Sequence, residues 1–266
     1  MFRTPVDIVM ALPVYALVLF RLTGLMLTAP LFGSELIPVR IRAAFVLVVA
    51  AMIFPLVAPQ APAGLSLGQV AIGGLGELLV GASIGLALTI LFMGAELAGL
   101  MVGRQAGLAL ADVFDPSSGE QTTVVGQIYT IVLVLVFLVA GGHRAAMAAL
   151  LDSYKVTPLL SASFSDSIVL LMVEMLASAS ILGIRLAVPV LAALFLTGLA
   201  MAFLSRTMPQ LNILSVGFVL RAMIALAVAA LALPSCEDLL LDAIDDTLGA
   251  IRTTLGIAGT TVEGAT

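Results

Sequence analysis

Charge is scarce in this 266-residue sequence: 10% of its residues are Asp, Glu, Lys or Arg, while 62% are hydrophobic. A soluble globular chain carries about 25% charged and about 45–50% apolar residues. With 16 acidic and 11 basic side chains there is too little charge to cover a water-facing surface. Lipid is therefore the expected solvent for much of the chain, in keeping with a mean hydropathy of +1.23. Lysine is nearly missing, with Lys155 alone, and the formal net charge is −5. Nucleic-acid binding is excluded on that basis, because neutralising phosphates needs clustered Lys and Arg. The single cysteine, Cys236, builds neither a disulfide framework nor a Cys-based metal site, and reads as a small apolar residue. A metal site around the single histidine, His143, would need several carboxylates beside it. Nucleophile–base pairs, a Walker loop and a dinucleotide fingerprint are missing as well, and the glycines between Gly73 and Gly76 lack a following Lys-Ser or Lys-Thr. The chain reads as no enzyme and as binding no cofactor or metal.

What is present is a series of long apolar segments. A membrane-spanning helix needs about 20 mostly apolar residues. Segments run from Ile8 to Phe32, Ala43 to Pro59, Val70 to Val102, Val124 to Ala140, Ile168 to Leu204 and Leu211 to Leu233. The first has one basic residue before it, Arg3, balanced by Asp7. Arg21 interrupts it before any small-x-small cleavage signal, so it reads as a membrane helix and not as a signal peptide. The third is too long for one untilted span. Either it protrudes or it breaks near Gly73, Gly74 and Gly76. The fifth, holding Pro189, reads as a long kinked helix or two short ones, and Ala145 to Leu151 adds a short helix in the polar stretch after segment four. Beyond Glu237, Leu240, Ile244, Leu248, Ile251 and Leu255 recur at helical spacing, opposite Asp238, Asp242, Asp245 and Asp246. That pattern is an amphipathic helix. Its acidic polar face favours packing on a protein partner over lying on anionic lipid. The expected fold is an all-α membrane protein of about six apolar helices in hairpins, plus a C-terminal amphipathic helix. Arg40 and Arg42 favour a cytoplasmic first loop.

Intramembrane charge is a functional hypothesis by default. Arg21, Glu77, Glu96, Glu174 and Arg185 lie in or near apolar segments, yet no two carboxylates are spaced to converge on one ion site. Pairing between helices or between subunits is the reading adopted. Glu174 and Arg185, 11 positions apart, lie three turns apart along a straight helix and cannot pair with each other. Gly81 and Gly85, then Ala95, Gly99, Gly103 and Gly107, recur every four residues and read as a face for close helix packing. The stretch from Gly107 to Thr122 joins an apolar half (Leu108, Leu110, Val113, Phe114) to a rigid turn made of Asp115, Pro116 and Gly119. Non-helical backbone at membrane depth is tolerated where protein or water surrounds it, so this loop reads as a cavity plug. Arg206, Pro209, Gln210 and Asn212 mark the tip of a tight helical hairpin.

Four blocks, in order along the chain, resemble a known family. They are Glu35-Leu36-Ile37-Pro38-Val39-Arg40; Phe114-x-Pro116-x-x-Gly119; Gly142-His143 with Leu151-Asp152-Ser153-Tyr154 and Pro158; and Arg206-x-x-Pro209-Gln210-x-Asn212-Ile213 with Gly217. On these the chain resembles the FliR/SctT family of type III secretion export-gate proteins. The resemblance implies a gate subunit of the flagellar type III apparatus, in the bacterial inner membrane at the flagellar basal body. Its partners would be FliP and FliQ, around a protein-conducting pore, with FlhB as a further partner and exported unfolded flagellar proteins as cargo. It implies a FliP-like part over residues 1–166 with the plug loop at 107–122, then a FliQ-like hairpin and tail over 167–266. Some apolar surface would then face neighbouring subunits instead of lipid. The alternatives are the homologous gate subunit of a virulence secretion system and a stand-alone secondary transporter. The latter calls for converging charges and internal pseudosymmetry that the sequence does not show.

Overall fold

A computed structural model describes residues 5–30, 38–60, 65–108, 123–161, 166–208 and 213–254. The protein is an all-α membrane protein. Its helices are α1 (Pro5–Thr28), α2 (Val39–Val57), α3 (Leu67–Ala106), α4 (Val124–Val139), α5 (Gly142–Val156), α6 (Asp166–Thr207) and α7 (Ile213–Thr254), with a 3₁₀ turn over Ala58–Gln60. Among the described residues four helices are long and apolar enough to cross a membrane: Val39–Val57, Gly68–Ala106, Val169–Thr207 and Val216–Thr254. The pair α4–α5, bent by 64°, makes a fifth if it counts as one broken span. The bend falls at Gly141, whose φ of +74° suits a residue without Cβ.

Two alternatives left open by the sequence are decided, and one expectation changes. Segment three does not break at its glycines: α3 runs unbroken for 40 residues, roughly 60 Å. The glycines make room for neighbours. A Cβ on Gly74 would strike the Phe20 ring, and one on Gly73 would strike the Leu160 side chain. Segment five is one helix of 42 residues with Pro189 inside it. The C-terminal amphipathic helix is not a separate element, because α7 continues through Pro234 to Thr254. A proline removes one backbone donor, and the surrounding turns carry the helix across it. The apolar positions Leu240, Ile244, Leu248 and Ile251 are buried within the chain itself, while Asp238, Asp242, Asp245 and Asp246 are exposed. Leu255 lies outside the described residues.

The chain divides into two compact units. The first comprises Met1–Ile90, Gly141–Met175 and Asp245–Thr266, the second Leu91–Ala140 and Leu176–Ile244. In the first, Leu17, Leu22, Leu25, Met26, Ile84 and Leu150 are fully buried. In the second, Phe92 and Phe137 meet edge to face at 5.7 Å among Leu133, Leu186 and Leu194. Elsewhere burial is partial. α2 buries only Val46, Ala50, Ile53 and Val57, a narrow stripe, and leaves Ile41, Val48, Met52 and Leu56 exposed. Such helices need lipid or another protein as their second solvent.

Candidate functional site

In the first unit α1 and α3 run side by side in parallel, close enough for backbone to touch backbone. A Cβ on Gly24 would meet the Leu78 carbonyl, one on Gly81 the Arg21 carbonyl, and one on Gly85 the Thr28 hydroxyl. Thr28 Oγ1 donates to the Ala82 carbonyl at 3.1 Å, and Thr89 Oγ1 donates to the Thr28 carbonyl. Small residues permit this approach, and bonds between side chain and backbone across it add direction.

The close approach sets Arg21, one turn before Gly24, beside Glu77, one turn before Gly81. Both side chains are fully buried. Arg21 donates from Nε and Nη2 to Glu77 Oε2 at 2.6 and 2.5 Å. It also donates from Nη1 to Ser153 Oγ at 3.0 Å and from Nη2 to the Thr157 carbonyl at 2.9 Å. Ser153 Oγ donates onward to the Leu150 carbonyl at 2.6 Å. The Tyr154 ring lies against the guanidinium, 4.2 Å from centroid to Cζ, a cation–π contact strengthened by the burial of both groups. The second Glu77 oxygen accepts the Leu160 N–H at 3.0 Å. Leu160 has a φ of +67°, which disfavours a residue with a Cβ. Its bond to Glu77 helps hold that turn. One arginine thus fastens α1, α3, α5 and the turn after α5. The arrangement ties helices together through one buried ion pair and its hydrogen bonds.

Of the other charges considered in the sequence, Glu96, Glu174 and Arg185 are exposed. The sequence marked Arg21 and Glu77 as costly charges without joining them, and it passed over Gly24. A signal was available. Arg21 is followed by Gly24 and Thr28, and Glu77 by Gly81 and Gly85, so each helix carries a charge followed by small residues at helical spacing.

In the second unit small residues act again, without ions. A Cβ on Gly99 would strike the Gly126 backbone of α4, and one on Gly103 would strike Thr123. Gly94 and Gly183 face the backbones of Ala179 and Gly94 in turn, and Ala95 is fully buried. Thr123 caps α4, accepting from the Gly126 N–H at 3.2 Å and donating to the Gly99 carbonyl at 2.8 Å. The end of α3 is closed by a Schellman pattern. Leu108 N–H donates to the Gly103 carbonyl at 2.9 Å and Gly107 N–H to the Arg104 carbonyl at 3.2 Å, with Gly107 at φ +83°. Gly107 therefore ends the helix, with the Phe218 ring beside it. Leu108 and Thr123 are the two ends between which the expected plug lies. Its residues Leu110, Val113, Phe114, Asp115, Pro116 and Gly119 lie outside the described residues. Of the expected hairpin tip, Arg206 is exposed in the last turn of α6. Pro209, Gln210 and Asn212 lie outside the described residues. No cluster of His, Cys, Asp or Glu able to hold a metal occurs among the described residues.

Comparison with known proteins places these features in context. The family model described as bacterial export proteins, family 1, matches residues 12–247. Flagellar biosynthetic protein FliR of Pectobacterium carotovorum subsp. carotovorum is 28% identical over 214 residues, covering 80% of this chain and 82% of the relative. FliR of Bacillus subtilis strain 168 is 29% identical over 214 residues, covering 79% and 82%. Yop proteins translocation protein T of Yersinia pestis is 33% identical over 159 residues, covering 59% of each chain.

Proposed function

This chain belongs to the family of bacterial export proteins, family 1, and on that premise we propose that it is a subunit of the export gate of a flagellar type III secretion apparatus. It forms, with FliP and FliQ, a protein-conducting pore in the bacterial inner membrane at the flagellar basal body, with FlhB as a further partner. Unfolded flagellar proteins are the cargo. It acts without a cofactor, by conformational change. The part over 1–166 is FliP-like and that over 167–266 is a FliQ-like hairpin with its tail.

The observation that carries this reading is the length of the flagellar match, about four fifths of this chain and of the FliR relatives alike. The shorter match to the Yersinia protein makes a virulence-system gate the second reading. The proposed seal is Phe114 with Leu110 and Val113, aimed by the turn at Asp115, Pro116 and Gly119. Support comes from the fixed ends of that stretch: the Schellman closure at Gly107 and the Thr123 cap, itself bonded to α3. A plug works only if its attachment points do not wander.

The test is ion leak and flagellar export in cells with the stretch between Leu108 and Thr123 shortened, or with Phe114→Gly, while FliP and FliQ co-purification reports assembly. Assembled complexes that leak support the plug. Assembled complexes that stay tight and export normally refute it.

A further inference from the structure

In the second unit α6 has two opposed faces. Ala179, Leu182, Leu186, Ala187, Val190 and Leu194 are buried. On that side Gly183 meets α3 at Gly94, and Tyr129 of α4 donates to the Leu186 carbonyl at 3.4 Å. The other face carries Ile181, Ile184, Val188, Phe195, Leu199 and Phe203, between 44 and 72% exposed. At about 100° per residue these side chains fall within one arc of the helix roughly a third of the circumference wide. Arg185 points out within that arc, flanked by Ile181, Ile184 and Val188, and has no acidic partner among the described residues.

The two properties of this face constrain what covers it. Water is a poor match for a stripe of exposed Ile, Val, Phe and Leu. Lipid is a poor match for a guanidinium set one turn inside that stripe. An apolar helix carrying a carboxylate at the level of Arg185 satisfies both. Its apolar side covers the stripe, and its carboxylate takes the two parallel N–H donors that arginine offers. The buried face of α6 meets α3 and α4 through small residues and backbone, so the outer face is presented on a fixed support. We propose that the outer face of α6 from Ile181 to Phe203 is a docking surface for a partner subunit's apolar helix, which pairs an Asp or Glu with Arg185. This deepens the gate reading above and rests on it.

The test uses the full chain in its membrane complex. Arg185→Glu is expected to lower FliP and FliQ co-purification at least tenfold, and Arg185→Leu several-fold, with the level of the chain itself unchanged. Arg185→Lys retains most of the association. A photo-crosslinker at Ile184 or Val188 is expected to capture an apolar segment of one of those subunits that contains an Asp or Glu. Reversing that acid to Lys is expected to restore co-purification of Arg185→Glu. Crosslinks to lipid alone, or unchanged association of Arg185→Leu, overturn the proposal in favour of a lipid-facing arginine bound to headgroup phosphate. If the unaltered chain itself fails to co-purify with FliP and FliQ, the gate reading fails instead, and the two failures are distinct.

Discussion

The long helix α3 makes its contacts in two different ways. Toward its start it meets α1 at Gly81 and Gly85, and that approach is backed by the buried Arg21–Glu77 pair and its bonds to Ser153, Thr157 and Leu160. Toward its end it meets α4 at Gly99 and Gly103, with no ion and one threonine hydroxyl between the backbones. Small residues let helix backbones approach closely, and packing and hydrogen bonds hold them there. A buried ion pair adds little net stability, yet it penalises every wrong neighbour by leaving a charge bare. The first contact therefore carries a charge penalty against wrong neighbours that the second, held by packing and the Thr123–Gly99 bond, does not.

The largest expected effect comes from removing one ion. Arg21→Ala strands Glu77 in the core and should destabilise the protein by about 3–5 kcal/mol, read as a lower thermal midpoint in detergent and a lower membrane level. Arg21→Leu combined with Glu77→Leu should recover more than half of that loss, because an apolar pair leaves no charge unpaired. A double variant as damaged as the single would break the comparison.

Next in size are the two glycine contacts. Gly81→Leu and Gly99→Leu both drive a side chain into a neighbouring backbone, costing about 1–3 kcal/mol or more. The distinction lies in coupling. Gly81→Leu should be non-additive with Glu77→Ala by about 0.5–3 kcal/mol, and Gly99→Leu additive within about 0.5 kcal/mol. A double-mutant cycle measures both. Thr123→Val, which loses the cap and the bond to Gly99, should cost about 1–2 kcal/mol. Gly107→Ala should cost roughly 1 kcal/mol for its positive φ. The smallest effect is assigned to the Asp152–Lys155 pair at 2.7 Å, in which Lys155 is exposed and Asp152 half-buried. There Lys155→Met should change stability by no more than about 0.5 kcal/mol, in contrast with the buried pair.

Helix positions were largely legible in the sequence. The fourth apolar segment, Val124 to Ala140, differs from α4 by one residue at its end, because Thr123 and Gly141 punctuate it chemically. Helix ends marked only by a change of composition were not legible. The shift from apolar to acidic sequence near Glu237 reads as a boundary, yet α7 crosses it, since hydrogen bonding along a helix does not depend on the polarity of its side chains. Pro189 left one helix or two open in the sequence, because a proline removes one backbone bond without by itself ending a helix whose other turns are intact. At the site, the unusual residues Arg21 and Glu77 could be found by inspection. Their union could not, because 56 positions separate them in the chain and a single string carries no record of which helices meet. Ser153, Tyr154 and Leu160 are ordinary residues whose importance comes only from what lies beside them.

The Arg21 clasp also has a timetable. Its acid is made 56 residues after the arginine, and the Thr157 carbonyl 136 residues after it. At 5–20 residues per second, the last of these arrives roughly 7 to 27 s after Arg21. Through that interval the first helix carries a cation whose neutralising surroundings do not yet exist. The clasp can therefore close only after the chain has been made past Thr157, whichever of its helices enters the membrane first.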